Sequence, residues 1–337
     1  MKSPPFTLTP TILNLCAQIA ERIGRLSVQE EQSRSLYLRR LSRIRTVHGS
    51  LAIEGNTLSE EQITAILDGK RVLAPPRDIQ EAHNALATYE CLDKWLPHAE
   101  TDLLVAHRLL MTGLIADAGH YRVGGVGVMS GDKVVHMAPP ASRVSVLMRN
   151  LLRWLQATDA HPLVASGVFH YEFEFIHPFA DGNGRMGRLW QTLILSKWQP
   201  LFAYIPVESM VHKHQEAYYA AIRQSTAESD SSAFVLFMLE RILEAINSVA
   251  NEQASPHDTP HVTPQVVELL KILVGEISRE DLMIQMGLSD RKSFSQRYLQ
   301  PAMQLGLIEM TLPDKPRSKL QCYRLTAAGK SHGHETT

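Results

Sequence analysis

A twelve-residue stretch, His177-Pro-Phe-Ala-Asp-Gly-Asn-Gly-Arg-Met-Gly-Arg188, holds the most reactive combination of side chains in this sequence. It contains a histidine, which titrates near neutrality, a carboxylate at Asp181 and two arginines. The glycines on either side of Asn183 permit positive φ and let the backbone approach a ligand closely. A loop of this composition can supply a general base, a metal ligand and an anion site together.

The flanking sequence has the helical patterns needed to position these groups, over residues 163–175 and 185–198. A glycine turn that opens a helix directs unpaired N–H groups, and the positive end of the helix dipole, at one point. Arg185 and Arg188 are three apart on the first turn, so both can face one anion, and paired arginines suit a polyphosphate. Asp181 can hold Mg²⁺ against those phosphates, and His177 can accept a proton from an attacking hydroxyl. No Gly-Lys-Ser/Thr follows the glycines, so this is not a Walker loop.

The stretch matches every fixed position of H-x-F-x-D/E-G-N-G-R-x-x-R and so resembles the signature of the Fic family. The resemblance implies that AMP passes from ATP to a Ser, Thr or Tyr hydroxyl of a target protein, or of the enzyme itself, with release of pyrophosphate. By matching position, His177 resembles the catalytic base and Asp181 the Mg²⁺ ligand. Gly184 matches the AMP-transferring members, whereas kinase-like relatives carry lysine there. The residues expected to bind the nucleotide are Gly182, Asn183, Gly184, Arg185, Met186, Gly187 and Arg188.

Two adjacent tyrosines, Tyr218 and Tyr219, lie on a predicted helix over residues 208–224. Both are candidates for the adenine site, because an aromatic ring can stack on a base. Packing inside the protein explains them equally well, so the sequence leaves the two alternatives open.

A second motif, Ser50-Leu-Ala-Ile-Glu54-Gly55, lies more than a hundred residues upstream. Ser50 and Glu54 are four apart and share a face if this segment is helical. Taken alone, Glu54 is more simply a surface carboxylate. The segment also resembles the inhibitory S/T-x-x-x-E-G/N helix of many Fic proteins. That resemblance implies that Glu54 pairs with Arg188 and places negative charge where the γ-phosphate of ATP must lie.

Residues 119–137 interleave glycines with valines and predict a short β-hairpin, with Ser130-Gly131-Asp132 at its turn. The hairpin resembles the flap with which Fic proteins align a target segment by strand pairing. That resemblance implies that the hairpin presents the target hydroxyl to His177.

The remaining patterns predict a mainly α protein with a small β-hairpin, followed by a winged helix-turn-helix domain. The resemblance implies that the helical core has the Fic fold and that the hairpin is its flap. We expect an N-terminal helical region at 1–95 with the inhibitory motif at 50–55, a catalytic core at 96–250 and a linker at 251–262. Over 263–330, three helices (264–274, 278–286, 290–305) precede two strands (307–312, 321–325), the order of a winged helix.

Composition narrows the class of protein. The 337 residues carry a net charge of -1, so overall charge favours neither nucleic acid nor a membrane surface. Three separated cysteines argue against a disulfide framework and for a reducing compartment. No apolar run approaches the ~20 residues of a membrane span, and no signal peptide is evident. We therefore expect a cytoplasmic protein.

Other functions remain open at this point. The C-terminal region carries ten Lys or Arg against seven Asp or Glu, which is compatible with a DNA-binding regulator whose core senses nucleotide. In that case helix 290–305, with Arg291, Lys292 and Arg297, is the recognition helix. Removal of AMP, with Glu54 orienting a water, or transfer of another phosphate-containing group are alternatives within the same fold. The sequence also allows a homodimer.

Overall fold

The computed structural model describes residues 3–33, 36–125, 127–130, 133–254, 264–288, 290–312, 318, 321–326 and 329–330. The predicted turn residues Gly131 and Asp132, and the predicted linker beyond residue 254, lie outside these ranges. The chain divides into two compact units, one formed by residues 1–29 and 41–250 and the other by residues 30–40 and 251–337.

Helices and one hairpin make up the described chain as far as residue 254. The α-helices and strands are α1 (Pro10–Ser33), α2 (Leu36–Ile53), α3 (Glu60–Leu67), α4 (Pro76–Glu90), α5 (Glu100–Met111), β1 (Gly127–Ser130), β2 (Lys133–Met137), α6 (Ala141–Ala157), α7 (Pro162–Ile176), α8 (Asn183–Trp198), α9 (Val207–Lys213), α10 (Gln215–Glu228) and α11 (Ser232–Ala254). Short 3₁₀ turns occupy Leu92–Lys94 and Pro200–Tyr204.

Local sequence explains several of these helix boundaries. Thr9 accepts a hydrogen bond from the N–H of Ile12 and so caps α1, as a threonine before a helix is expected to do. Ser59 and Gln62 form the predicted capping box of α3. The predicted helix 208–224 is divided in the structure, since α9 ends at Lys213 and α10 begins at Gln215.

The antiparallel helices α7 and α8 lie at the centre of the first unit. Both are buried along most of their length, and their largest enclosed side chains include Phe169, Phe173 and Trp190. Residues from regions 1–95 and 96–250 share one hydrophobic core around them. This core holds the C-terminus of α7 and the N-terminus of α8 in place. The loop that joins these two ends is therefore fixed at both sides.

The hairpin forms where the alternating glycines and valines predict it. β1 pairs antiparallel with β2, from Gly127 opposite Met137 to Ser130 opposite Lys133, with an irregularity between Val128 and Met129. The strands are shorter than the predicted range, and Val123 lies outside them, exposed.

The described part of the second unit after residue 263 combines short helices with a small sheet. Its elements are α12 (Pro264–Ile272), β3 (Ile277–Ser278), α13 (Arg279–Gln285), α14 (Arg291–Phe294), a π-helical turn (Ser295–Leu299), α15 (Gln300–Gln304), β4 (Ile308–Met310) and β5 (Cys322–Leu325). The strand order is β3-β5-β4. The three helical segments and two C-terminal strands agree with the predicted winged helix-turn-helix, and β3 is a third strand that the pattern did not predict.

The described helices include none that combines the length and the apolar character needed to cross a membrane. Cys16, Cys91 and Cys322 are all free thiols.

Candidate active site

The loop between α7 and α8 begins and ends with left-handed backbone. His177 ends α7 with φ 50° and ψ 61°, which is rare for a residue with a side chain, and Gly182 precedes α8 with φ 81°. A Cβ on Gly182 would lie 2.6 Å from the sulfur of Met111, so glycine is required there by space as well as by φ. Directly before the second reversal, Asp181 lies beside the first turn of α8, where its Oδ1 accepts from the N–H of Gly182 and from Nη2 of Arg185.

The side chain of Asn183 braces the loop from within. Its oxygen accepts a hydrogen bond from the N–H of Phe179, and its amide donates to the carbonyl of Phe179, both at 2.9 Å. Asn183 is almost fully buried, at 2% exposed. Its side chain therefore shapes the cradle that was predicted to hold phosphate, and the loop backbone is left to face a ligand.

Arg188 meets the upstream motif directly. Its Nη2 donates to Oε1 of Glu54 at 2.6 Å and to the carbonyl of Ser50 at 3.0 Å, while its Nε donates to Oγ of Ser50 at 3.3 Å. The guanidinium is buried, and Glu54 is about one third exposed. Burial by itself lowers the pKa of Arg188, but the adjacent Glu54 carboxylate raises that pKa above its usual range.

The Glu54 carboxylate also lies against the first turn of α8. A Cβ built on Gly184 would overlap with Oε1 of Glu54 and lie 3.0 Å from Nη1 of Arg188. The N-terminus of α8 carries unpaired N–H groups and a positive dipole end. Glu54 thus places its negative charge at the anion site that the sequence predicts for phosphate.

A second ionic network surrounds the other motif arginine. Arg185 is 4% exposed and lies 3.2 Å from Oε1 of Glu81 and 3.3 Å from Oδ1 of Asp181. Arg77 approaches the same two carboxylates, at 3.3 Å from Glu81 and 3.2 Å from Asp181. Because Arg77 is 60% exposed, it can leave Asp181 when a cation or a nucleotide approaches.

The fit of Asp181 to Mg²⁺ follows from these contacts. Its side chain is 41% exposed, and Oδ2 is engaged only by the exposed Arg77 among the described contacts. The described residues contain no cluster of three or more His, Cys, Asp or Glu placed to hold a metal. A single accessible carboxylate suits a magnesium ion that keeps most of its ligands from phosphate and water.

Buried polar groups lie behind His177. Oε2 of Glu174 is 3.8 Å from Nδ1 of His177, and burial raises the pKa of Glu174 to about 8. His170, fully enclosed, bonds to Gln191 and to the hydroxyl of Tyr218, and burial lowers its pKa to about 3. His170 is therefore neutral, and both of its ring nitrogens have hydrogen-bond partners.

Comparison with solved structures places the chain among known proteins. A Fic family protein from Desulfovibrio desulfuricans G20 is 54% identical, and the match covers 97% of this chain and 99% of that one with a TM-score of 0.76. The chain belongs to the Fic family. Residues 92–195 match the family described as Fic/DOC, and residues 264–326 match the C-terminal domain of "Filamentation induced by cAMP protein Fic-like" proteins.

Curated relatives of this Fic chain carry an enzymatic name. Proteins from Aedes aegypti and Culex quinquefasciatus named "Protein adenylyltransferase Fic" are each 29% identical over 210 residues, 58% of this chain. The match spans only about 40% of the length of those relatives. Fic-1 of C. elegans (aa134 - 508) shares the fold, with a TM-score of 0.58 at 23% identity over 73% of each chain.

The structure separates the predicted nucleotide-binding residues of this Fic protein into two groups. The loop residues 182–185 and Arg188 gather around the predicted anion site. Met186 points into the core, and the α-carbon of Gly187 lies against His170 and Glu174. These two residues hold α8 against α7, and their predicted contact with the nucleotide has no support from their position.

The two tyrosines also differ in position. Tyr218 is 2% exposed and packs among Phe234 and Phe237, so the structure favours packing over base stacking for this residue. Tyr219 is only partly buried, and its role at adenine stays a prediction.

Three residues lie near the site although no sequence pattern indicates that they belong to it. His107 stacks on Phe179 at 3.6 Å, accepts the N–H of Gly119 on Nδ1, and so donates from Nε2 to the carbonyl of Asp181. Glu81 holds Arg185, as described above. Arg122 binds the backbone of His177. Each lies more than fifty residues from its partner in the Fic motif, where spacing cannot reveal a contact.

The segment after Glu54 is clamped to the start of α4. The Asn56 amide donates to the carbonyl of Asp78 at 3.2 Å and to Oε2 of Glu81 at 2.9 Å. Both the N–H and the hydroxyl of Thr57 donate to Oδ2 of Asp78, at 3.0 and 2.7 Å. This clamp, formed by Asn56, Thr57, Asp78 and Glu81, holds the end of the motif that carries Glu54.

Proposed function

We propose that this Fic protein is a self-inhibited protein adenylyltransferase that moves AMP from ATP to hydroxyl side chains of other proteins and of itself. The observation that carries the proposal is the Glu54–Arg188 contact at 2.6 Å, directly beside the α8 N-terminus. The contact supports nucleotide transfer, because it lies at an anion site suited to phosphate. It also supports self-inhibition, because a carboxylate occupies that site. The adenylyltransferase name of the curated relatives supports the reaction class.

The chemistry follows from the residues of the loop. His177 accepts the proton of the target hydroxyl, and the oxygen attacks the α-phosphorus of ATP. The bond from that phosphorus to the bridging oxygen breaks, and pyrophosphate leaves. The backbone at 182–184 and Arg185 bind the phosphates, and Arg188 receives the outermost phosphate once Glu54 withdraws. Strand addition at the hairpin presents the target segment.

Asp181 would hold the magnesium ion in this scheme. When bound, the ion supplies positive charge against the phosphates. Arg77, which donates to Oδ2 of Asp181, would have to give up this hydrogen bond if that oxygen were to serve a metal ion. The exposure of Arg77 makes this exchange inexpensive in free energy.

The reaction class is tested by following two labels. The protein is incubated with ATP labelled at the α-phosphate or at the γ-phosphate, and pyrophosphate release is measured in parallel. We expect protein to retain the α label alone, with one pyrophosphate released for each AMP attached. Retention of the γ label would show phosphoryl transfer instead, and loss of AMP from pre-labelled protein would indicate removal of AMP.

Replacing Asp181 with asparagine should reduce transfer in the Glu54→Gly background by on the order of 100-fold, because the metal ligand contributes several kcal/mol of charge stabilisation. The Mg²⁺ concentration for half-maximal rate should rise as well, and chelation should stop transfer by the parent. Asp117→Asn, which alters an exposed carboxylate, serves as the control. An unchanged Mg²⁺ dependence in Asp181→Asn would remove Asp181 as the ligand.

Breaking the clamp should release part of the inhibition without touching Glu54. Asp78→Ala removes both hydrogen bonds to Thr57, and we expect wild-type transfer to rise by roughly fivefold, the factor equivalent to about 1 kcal/mol for a net hydrogen bond. The same change in a Glu54→Gly protein should have no further effect. Asp68→Ala, which removes a carboxylate that pairs with Lys70, is the control. An equal increase in both backgrounds would contradict a role for the clamp in holding Glu54.

A DNA-binding role for the second unit stays a prediction. The pairing of its basic residues does not favour it, since Arg291 lies 2.8 Å from Glu280, and Arg324 contacts both Glu276 and Glu309. Titration of random duplex DNA at increasing salt decides the question, because phosphate contacts give a steep salt dependence.

A further inference from the structure

Arg122 is an arginine whose guanidinium is buried beneath the hairpin, with 4% of the residue exposed. Its Nε donates to the carbonyl of His177 at 2.7 Å, and its Nη2 donates to the carbonyl of Ile176 at 3.3 Å. Its own N–H donates to the carbonyl of Pro178 at 2.9 Å. One residue therefore binds three consecutive carbonyls at the start of the catalytic loop.

The same guanidinium also binds both ends of the hairpin. Nη1 donates to the carbonyl of Gly124, which precedes β1, at 2.8 Å, and Nη2 donates to the carbonyl of Pro139, which follows β2. The planar fork of arginine is suited to this, because its five N–H groups point in fixed directions. Arg122 thus joins the two ends of the hairpin to the backbone of His177 through one rigid group.

The contact coincides with unusual backbone at His177. Left-handed φ at a residue with a side chain costs roughly 1–2 kcal/mol and persists only where the surroundings hold it. Arg122 binds the carbonyl of this very residue, and the N–H of His177 donates to the carbonyl of Phe173. Both peptide groups of His177 are therefore held, which fixes the direction in which its Cα–Cβ bond leaves the backbone.

A contribution to folding stability does not by itself explain why an arginine occupies this buried position. Among the described residues, the acceptors of the Arg122 side chain are all backbone carbonyl oxygens, and burial lowers the pKa of Arg122. A buried charge without a carboxylate is expensive, and apolar packing of similar volume often serves stability better. What a guanidinium provides here, and an apolar side chain does not, is a fixed distance between the hairpin and His177.

We propose that Arg122 is a positioning residue for adenylyl transfer, which sets the register between the hairpin that presents the target hydroxyl and the imidazole of His177 that receives its proton. The inference rests on the proposed function for its chemistry and on the five hydrogen bonds for its geometry. In this proposal Arg122 acts through the backbone carbonyls that it binds and not through contact with the reacting groups. It acts on the rate of transfer because a misplacement of about 1 Å between reacting groups lowers the rate by about 100-fold.

The test compares Arg122→Lys and Arg122→Met with their parent in the Glu54→Gly background. Lysine keeps the charge but has only three donors on a flexible stem, so it cannot reproduce the planar fork. We expect kcat to fall by roughly 100-fold in Arg122→Met and by less in Arg122→Lys, with the Kd for Mg-ATP unchanged. In Arg122→Ala, added guanidinium ion should restore part of the rate. Arg241→Met, which removes a mostly buried arginine that pairs with Glu244, is the matched control and should keep the parental rate.

A kcat for Arg122→Met within threefold of the parent overturns the proposal. So does a parallel loss of kcat, ATP affinity and melting temperature without rescue by guanidinium, since that pattern describes a residue needed only for folding. Hydrogen exchange gives a readout that does not depend on transfer. Amides of β1, β2, Ile176 and His177 should exchange faster in Arg122→Lys, with those of α10 and α11 unchanged. If the parent transfers no AMP, the proposed function fails, and the exchange pattern alone then decides whether Arg122 joins the hairpin to the loop.

Discussion

Replacing Glu54 with glycine should raise transfer from α-labelled ATP, including onto the protein itself, by roughly 5- to 150-fold, the range that ~1–3 kcal/mol of coupling represents. The reason is competition for one site. Glu54 bonds Arg188 at 2.6 Å and lies against Gly184 at the start of α8. A phosphate needs the same guanidinium and the same N–H groups, and two anions cannot share them without repulsion.

Stability and nucleotide binding should change together in this variant. Without Glu54 the buried Arg188 loses a partner, and an uncompensated buried charge costs about 3–5 kcal/mol in the absence of ligand. We therefore expect the melting temperature of Glu54→Gly to fall, and ATP to raise it by more than it raises that of the wild-type protein. Transfer and thermal shift measured on the same preparations check both expectations.

Glu54→Gln supplies the matched control, because it keeps the shape of the side chain and removes its charge. If the carboxylate charge inhibits, this variant should transfer faster than wild type, though less than glycine, which also opens space. Transfer by Glu54→Gly at or below the wild-type rate would contradict self-inhibition. The adenylyl-transfer proposal would still stand if the wild-type protein attached AMP.

Replacing His177 with alanine in the Glu54→Gly background should lower transfer by about 10²–10⁴-fold, the usual contribution of a positioned general base. No other titratable group of the described loop is placed for this role, since Asp181 is engaged by Arg77 and Arg185. His177 keeps 17% of its side chain exposed, so a hydroxyl can reach it. Single-turnover transfer with saturating Mg-ATP measures the effect.

Two controls separate loss of the base from loss of the fold. The affinity for Mg-ATP should stay within a few-fold of the parent, because the proposed role of His177 is to accept a proton from the target hydroxyl and not to bind phosphate. His83→Ala, at an exposed position of α4, should keep the parental rate. Retention of full transfer by His177→Ala would exclude His177 as the base and would leave the phosphate site of the proposal intact.

The loop and the inhibitory motif are features that could be predicted from the sequence. The left-handed turn at Gly182 and the anion site on α8 follow from glycine placement, and the Fic family is confirmed by comparison. The contact of Glu54 with Arg188 was implied by resemblance, and the structure places the two at 2.6 Å. Such features are predictable because they depend on neighbours in the chain or on a motif long enough to be specific.

The positions and contacts of other residues became known only from the tertiary structure. Tyr218 and Tyr219 are adjacent and chemically identical, yet one is enclosed by Phe234 and the other is partly open. Their difference depends on which face of α10 meets α11, and periodicity does not settle that for neighbouring residues. That Asn183 belongs to the phosphate cradle stays a prediction, and the structure adds that its side chain bonds to the backbone of Phe179. The spacing of residues in the motif predicts that the Asn183 side chain lies in the loop. It does not predict which group forms hydrogen bonds with that side chain.

His177 and its neighbours on the loop were determined by sequence, because twelve consecutive residues carry a base, a carboxylate, a glycine turn and two arginines whatever surrounds them. Tertiary structure alone decided what holds these groups in place. Arg122, Glu81 and Glu54 reach the loop from 55, 104 and 134 residues away. Contacts over such separations exist only after α2, α4 and the hairpin pack against α7 and α8. The reactive groups are therefore set by a short stretch of sequence. Their alignment, and their proposed inhibition by Glu54, depend on tertiary packing.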